Sequence, residues 1–90
     1  IGQTQNLVDF GAHIHPRDDG NYEIEFLEPG TSAEQAGFRE GDLITSVNGV
    51  ALKGLTKDAA EKLLRKSEGD QLHIVSVQDG NVTQGDYTLH

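Results

Sequence analysis

Two histidines and two aspartates lie close together near the amino end and are the first candidates for chemistry. His13 and His15 are two residues apart, so both side chains lie on one face if the segment is a strand, and Asp18 and Asp19 follow shortly after. Imidazole and carboxylate groups are common metal ligands. However, two histidines without a preorganised third ligand more often form the solvated face of a strand. We therefore expect no metal at this position.

The remaining polar residues show no arrangement that is typical of catalysis. No serine is grouped with a histidine and an aspartate as a nucleophile and its base, and no glycine-rich loop resembles a nucleotide-binding loop. The chain has no cysteine, which removes thiolate nucleophiles, thiolate metal ligands and disulfides and permits an intracellular setting. The serines considered were Ser32, Ser46, Ser67 and Ser76. We predict a non-enzymatic domain that needs no cofactor.

Length and charge limit the remaining functions. Ninety residues allow a single domain with one small core, and the apolar 34% is concentrated in periodic segments, as in folded proteins. The net charge of −8 disfavours nucleic acid and anionic lipid as partners, because both attract cationic proteins. No apolar run is long enough to cross a bilayer, and no targeting peptide is recognisable. Since the chain starts at Ile1, we expect it to be a piece of a longer protein.

The amino-terminal third predicts two antiparallel strands. Apolar residues alternate with polar residues from Val8 to His15, with an interruption at Gly11, and alternation resumes in residues 22–27 after a turn-rich loop. Residues 1–7 are weakly patterned and predict at most a frayed edge strand. Thr31 and Ser32 are both candidate N-caps, with Glu34 and Gln35 three residues on, so a short helix with a capping box is expected to end at Gly37.

The rest of the chain predicts strands on either side of a second helix. Residues 42–47 form an apolar strand before the turn pair Asn48 and Gly49, and residues 71–77 have apolar side chains on both faces. Between them, residues 57–66 place Ala59, Ala60, Leu63 and Leu64 on one helical stripe, with Thr56 as N-cap and the end near Gly69. Asp79 and Gly80 form a second hairpin signal. The pattern predicts an α+β domain.

The run PGTSAEQAGFREGDLITSVNGVALKGLTKDAAEKLLRKSEGDQLHIVSV, residues 29–77, resembles a PDZ domain of the metazoan scaffold type. The resemblance extends over about residues 8–78, and the two ends, 1–7 and 79–90, match less well. It implies a small, partly open β-sandwich or barrel of five to six strands with two helices, and one domain spanning residues 1–90. It also implies a module that binds the C-terminal peptides of partner proteins by β-strand addition.

The resemblance places the peptide in a groove between the 12–15 strand and the 57–66 helix. The family's carboxylate-binding loop falls on Asp9, Phe10, Gly11 and Ala12, so the backbone N–H groups of the last three are expected to hold the terminal carboxylate. Asp9 puts a like charge beside that site, which weakens it by about 1 kcal/mol or less in water. The alternative is that Gly11 only marks a bulge in a core strand. The expected peptide-binding residues are Phe10, Gly11, Ala12, His13, Ile14, His15, Lys57, Glu61 and Leu64.

Selectivity follows from the same comparison. Phe10, Ala12, Ile14 and Leu64 are expected to form an apolar pocket for the last side chain of the peptide, with extra room beside Ala12. Lys57 matches the helix position that contacts the third-from-last residue, where an ammonium favours an acidic or hydroxyl side chain. Around this helix five cations oppose two acids, locally +3, which also favours an acidic ligand. The alternative is a solvated Lys57 with no ligand.

Two further interpretations remain open. The chain is expected to belong to a larger cytoplasmic scaffold that reaches membranes through its partners, but related domains also regulate proteases. In that second case the tail VTQGDYTLH is the last strand of a permuted domain. A third interpretation has the tail reaching the groove of a neighbouring molecule.

Overall fold

The computed structural model describes residues 7–90. It contains eight strands and two helices, which confirms the α+β class and adds to the five or six strands expected. The elements are β1 (Leu7–Asp9), β2 (Ala12–Pro16), β3 (Tyr22–Leu27), α1 (Ser32–Gln35), β4 (Leu43–Val47), β5 (Val50–Ala51), α2 (Lys57–Leu63), β6 (Arg65–Ser67), β7 (Gln71–Gln78) and β8 (Asn81–Thr88). The frayed strand expected over residues 1–7 falls outside the described part of the chain except for Leu7, which begins β1.

The strands form a large sheet and a small one. The large sheet has the order β2-β3-β4-β7-β8, with β5 paired to β4, and the small sheet pairs β1 with β6. All pairs are antiparallel. Strand β2 is therefore the first strand of the large sheet, and α2 packs against it.

The strand expected from Val8 onward, with its interruption at Gly11, consists of two strands with different partners, because the chain changes partners at Phe10 and Gly11. Strand β1 pairs with β6, and β2 pairs with β3. Gly11 has φ +98°, a left-handed conformation that glycine adopts at little cost. The register shift of β2 lies between His13 and Ile14 and not at Gly11, so the bulge alternative for Gly11 does not describe this segment.

Helix α1 ends two residues earlier than expected, and its capping box is not formed. Thr31 is the N-cap but its side chain makes no cap bond, because its hydroxyl donates to the Glu28 carbonyl at 2.7 Å. The carboxylate of Glu34 instead accepts from Gly30 N–H at 2.9 Å. The Thr31 hydroxyl therefore stabilises the turn before α1 and does not cap the helix.

Helix α2 is shorter than the 57–66 segment expected. Its N-cap is confirmed, since the Thr56 side chain accepts from Ala59 N–H, but the helix stops at Leu63. Residues Arg65–Ser67 continue as β6 because they pair with β1. The apolar stripe is confirmed, with Ala60 and Leu64 buried at the core.

Both turn predictions are confirmed by the backbone. Asn48 and Gly49 have φ 52° and 82°, and Asp79 and Gly80 have φ 50° and 80°. Two consecutive positive φ values are the signature of the tight hairpin turn that Asn-Gly and Asp-Gly favour. The first turn joins β4 to β5, and the second joins β7 to β8.

The core lies between the large sheet and the two helices, and the tail contributes to it. Leu72 and Ile74 of β7 are buried, whereas Val75 and Val77 on the opposite face are half-buried, as expected. Leu89 is fully buried. Its C=O accepts from Gly69 N–H and its N–H donates to Asp70 C=O, each at 2.8 Å. The tail therefore packs on its own domain, and the interpretation that it reaches a neighbouring groove is wrong. Within residues 7–90 no helix has the length and apolar character required to span a bilayer.

Candidate functional site

The outer edge of β2 presents backbone groups that do not pair with β3. Ala12 lies opposite Leu27, and Glu28 N–H donates to Gly11 C=O at 3.0 Å. That bond flanks a non-hydrogen-bonded pair of an antiparallel ladder, so the N–H and C=O of Ala12 point away from β3.

Ile14 repeats this arrangement two residues further along. Ile14 is paired with Ile24 of β3. The N–H of Ile24 donates to Asp42 C=O at 2.8 Å and its C=O accepts from Gly41 N–H at 2.9 Å, so both groups point away from β2. Ile14 and Ile24 are therefore also a non-hydrogen-bonded pair, and the backbone of Ile14 faces the outer edge. The strand thus offers two residues to an incoming strand at the spacing of a ladder.

Helix α2 packs against β2. Ala60 is buried on its inner side and Leu64 is buried directly after its last residue, whereas Lys57 and Lys62 are exposed. Lys57 is the first residue of α2. Glu61 is half-buried on the same helix. The helix therefore has an apolar inner side, which faces the core, and charged side chains on its exposed side.

The loop between β1 and β2 is held rigidly by Phe10. Its ring is fully buried and packs edge-on against Phe38, with centroids 5.5 Å apart. Its C=O accepts from Ala33 N–H and its N–H donates to Leu64 C=O, each at 2.9 Å. The N–H expected to hold a carboxylate is therefore already used to tie the loop to the end of α2.

The other two expected donors differ from each other. Gly11 N–H donates to the side chain of Asp9 at 2.9 Å, whereas Ala12 N–H points to the outer edge of β2. The second oxygen of Asp9 accepts from Arg65 Nε at 3.0 Å. Of the three expected donors, one bonds to Leu64 at the end of α2, one bonds to the Asp9 carboxylate, and one points to the outer edge of β2.

The four side chains expected to form the pocket are all part of the core. Phe10, Ala12, Ile14 and Leu64 are at most 5% exposed and belong to one apolar cluster. The small side chain of Ala12 does not leave an exposed hollow beside it. A peptide side chain can therefore enter among these residues only if they move apart.

His13 and His15 are each paired with a different carboxylate. His13 Nε2 lies 2.7 Å from Glu28 and its ring lies 5.7 Å from that of Phe26, while His15 Nε2 lies 3.2 Å from Glu23. An open depression of about 620 Å³ lies beside them, lined by His15, Pro16, Arg17, Asp18, Asp19 and Glu23. Within residues 7–90 no three side chains are gathered as metal ligands.

Arg65 is the residue of this site that the sequence did not reveal. It lies inside the helix expected over residues 57–66, where the sequence marks it only as one of the five cations around that helix. The pairing of β1 with β6 instead sets Arg65 directly opposite Asp9. The sequence contains no signal for this contact, because it depends on a strand pair formed by residues 56 positions apart.

Comparison with known proteins places the fold in context. A sequence model of the PDZ domain matches residues 24–78. Rhophilin-2 of Mus musculus is 41% identical over 59 residues, which are 63% of this chain and 9% of that protein. A probable CtpA-like serine protease of Staphylococcus aureus is 34% identical over 82 residues, 89% of this chain and 16% of that protein. The chain therefore spans less than a fifth of the length of these curated relatives.

Solved structures show the same fold. The photosystem II D1 C-terminal processing protease superposes with a TM-score of 0.88 and 26% identity, covering 99% of this chain and 24% of the protease. The PDZ domain of a carboxy-terminal protease from Vibrio cholerae, solved in complex with a peptide, superposes with a TM-score of 0.77 and 20% identity. That match covers 92% of this chain and 94% of the bacterial domain.

Proposed function

The chain belongs to the PDZ domain family of peptide-binding modules, and from that premise we propose that it captures C-terminal segments of other polypeptides on the outer edge of β2, which has no strand partner within residues 7–90. The added strand lies between β2 and α2, antiparallel to β2. Its last residue approaches Gly11, and its backbone pairs with Ala12 and Ile14. Main-chain bonds of this kind supply affinity, and the flanking side chains supply selectivity.

The outward-facing backbone of Ala12 and Ile14 carries this proposal. An unpaired strand edge is a template for another strand, and proteins usually block it when they do not use it. Here the edge is bordered by a helix whose inner face is apolar, with Ala60 and Leu64 at the core. A peptide laid along the edge would meet main-chain groups on one side and apolar carbon on the other.

Binding is coupled to a movement of α2. The last apolar side chain of the peptide must separate Leu64 from Phe10, Ala12 and Ile14, which form one cluster. Burying such a side chain is worth roughly 1.5 to 3 kcal/mol, part of which is spent on the separation. Ordering of the peptide opposes binding further, so we expect weak and reversible complexes.

Selectivity for an acidic or hydroxyl side chain two residues before the peptide end is assigned to Lys57. It is exposed at the first turn of α2, where an ammonium has access to the groove. An exposed ion pair contributes about 0 to 1 kcal/mol, so Lys57 would bias the choice of ligand rather than fix it. The last residue of the ligand is expected to be Leu, Ile, Val or Phe.

The test uses fluorescein-labelled octapeptides that end in Glu-Ala-Leu, Glu-Ala-Val, Glu-Ala-Phe or Glu-Ala-Ala, each as free acid and as amide. Fluorescence anisotropy should show binding of the apolar-ended acids and at least roughly tenfold weaker binding of their amides, because the amide loses charge-assisted bonds worth about 1.5 to 3 kcal/mol. Equal affinity of acid and amide, or no binding of any peptide, would contradict the proposal.

Selectivity is tested in the same assay with Lys57→Glu. We expect this variant to lose its preference for Glu over Lys at the third-from-last position of the peptide. Lys62→Glu is the matched control, since it makes the same charge change on the exposed side of α2. A preference that survives Lys57→Glu would remove Lys57 from the site.

A second context for the same binding activity is favoured by the comparisons. Similarity to the CtpA-like protease extends over 89% of the chain, against 63% for Rhophilin-2, and the D1 processing protease superposes over 99%. We propose as the alternative that the domain regulates a protease by binding a peptide of its substrate. Sequencing the gene on both sides of the domain decides between the two, since a proteolytic domain beside it supports the regulatory role and scaffold modules alone exclude it.

A further inference from the structure

The carboxylate of Asp9 lies where the proposed function puts the terminal carboxylate of a ligand. Asp9 Oδ1 accepts from Gly11 N–H at 2.9 Å, and Asp9 Oδ2 accepts from Arg65 Nε at 3.0 Å. One donor is the loop amide expected to bind the ligand, and the other is the guanidinium of Arg65, which lies two residues after the last residue of α2. Both oxygens of a single carboxylate are thus held, as those of a peptide end would be.

We propose that Asp9 is an internal competitor for the peptide, so that binding at the β2 edge requires its carboxylate to leave Gly11 and Arg65. The inference rests on the proposed function and concerns the regulation of the same site. The incoming carboxylate then takes over both partners, and Asp9 turns to water.

The surroundings of Asp9 allow this exchange. The side chains of Asp9 and Arg65 are 46% and 44% exposed, so the carboxylate can be hydrated as it leaves. The backbone of the loop does not need to move with it, because Phe10 is fixed by its ring and by bonds at both its N–H and its C=O. Rotation of one side chain is therefore enough to expose Gly11 N–H.

Arg65 stabilises the arrangement in which the Asp9 carboxylate is bonded to Gly11 N–H. Arg65 lies opposite Asp9 in the pairing of β1 with β6, so the backbone register places its guanidinium beside the Asp9 carboxylate. The ion pair adds to the bond from Gly11, and a ligand has to compete with both. Only molecules in which Asp9 has left Gly11 and Arg65 can bind, so the apparent affinity is the intrinsic affinity multiplied by the fraction of such molecules. A fraction of about one tenth to one fifth therefore weakens binding roughly five- to tenfold.

The test compares wild type with Asp9→Ala in the anisotropy assay, using the Glu-Ala-Leu octapeptide as acid and as amide. Asp9→Ala removes the competing oxygens, and we expect the acid to bind roughly five- to tenfold more tightly while the amide changes little. Asp9→Asn should gain less, because its amide oxygen can still accept from Gly11 N–H although it no longer pairs with Arg65. Glu40→Ala is the control for net charge, since Glu40 is exposed on the loop between α1 and β4.

The outcomes separate this inference from the proposed function. If wild type binds the acid and Asp9→Ala binds it no more tightly, or gains equally for acid and amide, the competition is overturned. A gain with Glu40→Ala as large as that with Asp9→Ala overturns it as well. If neither protein binds any peptide, the proposed function fails and the inference with it. Circular dichroism melts establish that each variant is folded, and Asp9→Asn provides the comparison if Asp9→Ala is not.

Discussion

At the scale of single residues, Gly11 is where backbone conformation and the site meet. Its φ of +98° turns the chain from β1 into β2, and the side chain of Thr31 packs directly against its Cα, so that a Cβ would lie 2.1 Å from Thr31 Oγ1. That oxygen is held by its bond to Glu28 C=O at 2.7 Å and does not move freely. Glycine is therefore required both for the turn and for the close approach of Thr31.

Gly11→Ala should lower the free energy of unfolding by about 2 kcal/mol or more, since it adds a steric overlap to the cost of a left-handed alanine. Urea unfolding followed by circular dichroism measures the change. Gly30→Ala is the matched control, because Gly30 has φ +77° with nothing within 4 Å of an added Cβ. It should lose only about 1 kcal/mol. Equal losses in the two variants would show that Thr31 does not constrain the site.

At the scale of elements, the hairpin of β7 and β8 carries a charged cross-strand pair. His73 lies opposite Asp86, and its Nδ1 is 2.9 Å from the carboxylate. Its Nε2 lies 3.2 Å from Gln84 Oε1. The hydrogen bond to Asp86, followed by that to Gln84, raises the pKa of His73 above its ordinary value of 6.5. Opposite charges that face each other across an antiparallel pair stabilise it.

The raised pKa of His73 predicts how the hairpin responds to pH. A group whose pKa is higher in the folded state contributes stability that is complete below about 6.5 and is lost as the pH rises through the folded value. Asp86→Asn should lower the pKa of His73, measured by NMR titration of its imidazole protons, and should reduce the change in stability across that window. Asp18→Asn, which removes an exposed carboxylate outside the hairpin, should leave the titration unchanged.

Local signals in the sequence predicted the elements better than their ends. The two hairpin turns were predictable because Asn48-Gly49 and Asp79-Gly80 specify positive φ by residue type alone. Helix α2 was predicted too long, because a helical stripe continues to Leu64 while the pairing of Arg65 with Asp9 stops the helix. The packing of α2 against β2 agrees with the resemblance, but the occupation of Gly11 N–H by Asp9 did not follow from it, because it depends on which side-chain oxygen reaches the loop.

At the scale of the whole molecule, the tail completes the core. Leu89 is fully buried although it lies one residue from the last residue described, and His90 N–H donates to Ser32 Oγ at 3.0 Å. The small sheet and the tail meet at the 67–70 turn, since Leu7 pairs with Ser67 and Gly69 N–H donates to Leu89 C=O. Strand β8 is thus anchored at its far end and is an integral part of the domain.

Leu89→Ala should destabilise the domain by about 2 to 5 kcal/mol, the usual loss when a fully buried leucine is truncated. Chemical denaturation is the measurement, and Val82→Ala is the control, since Val82 is an apolar residue of β8 that is 72% exposed. The control should change stability by about 0.5 kcal/mol or less. If the two variants lose equally little, the tail does not belong to the core.

The convergence of Leu7 and Leu89 on one turn bears on how such a domain can be built into larger proteins. The segment from Leu7 to Leu89 thus begins and ends at neighbouring points, so this segment can be inserted into a hairpin of a host without separating the strands of that hairpin. The same geometry suits circular permutation, in which a short tether joins the two ends and new termini open elsewhere.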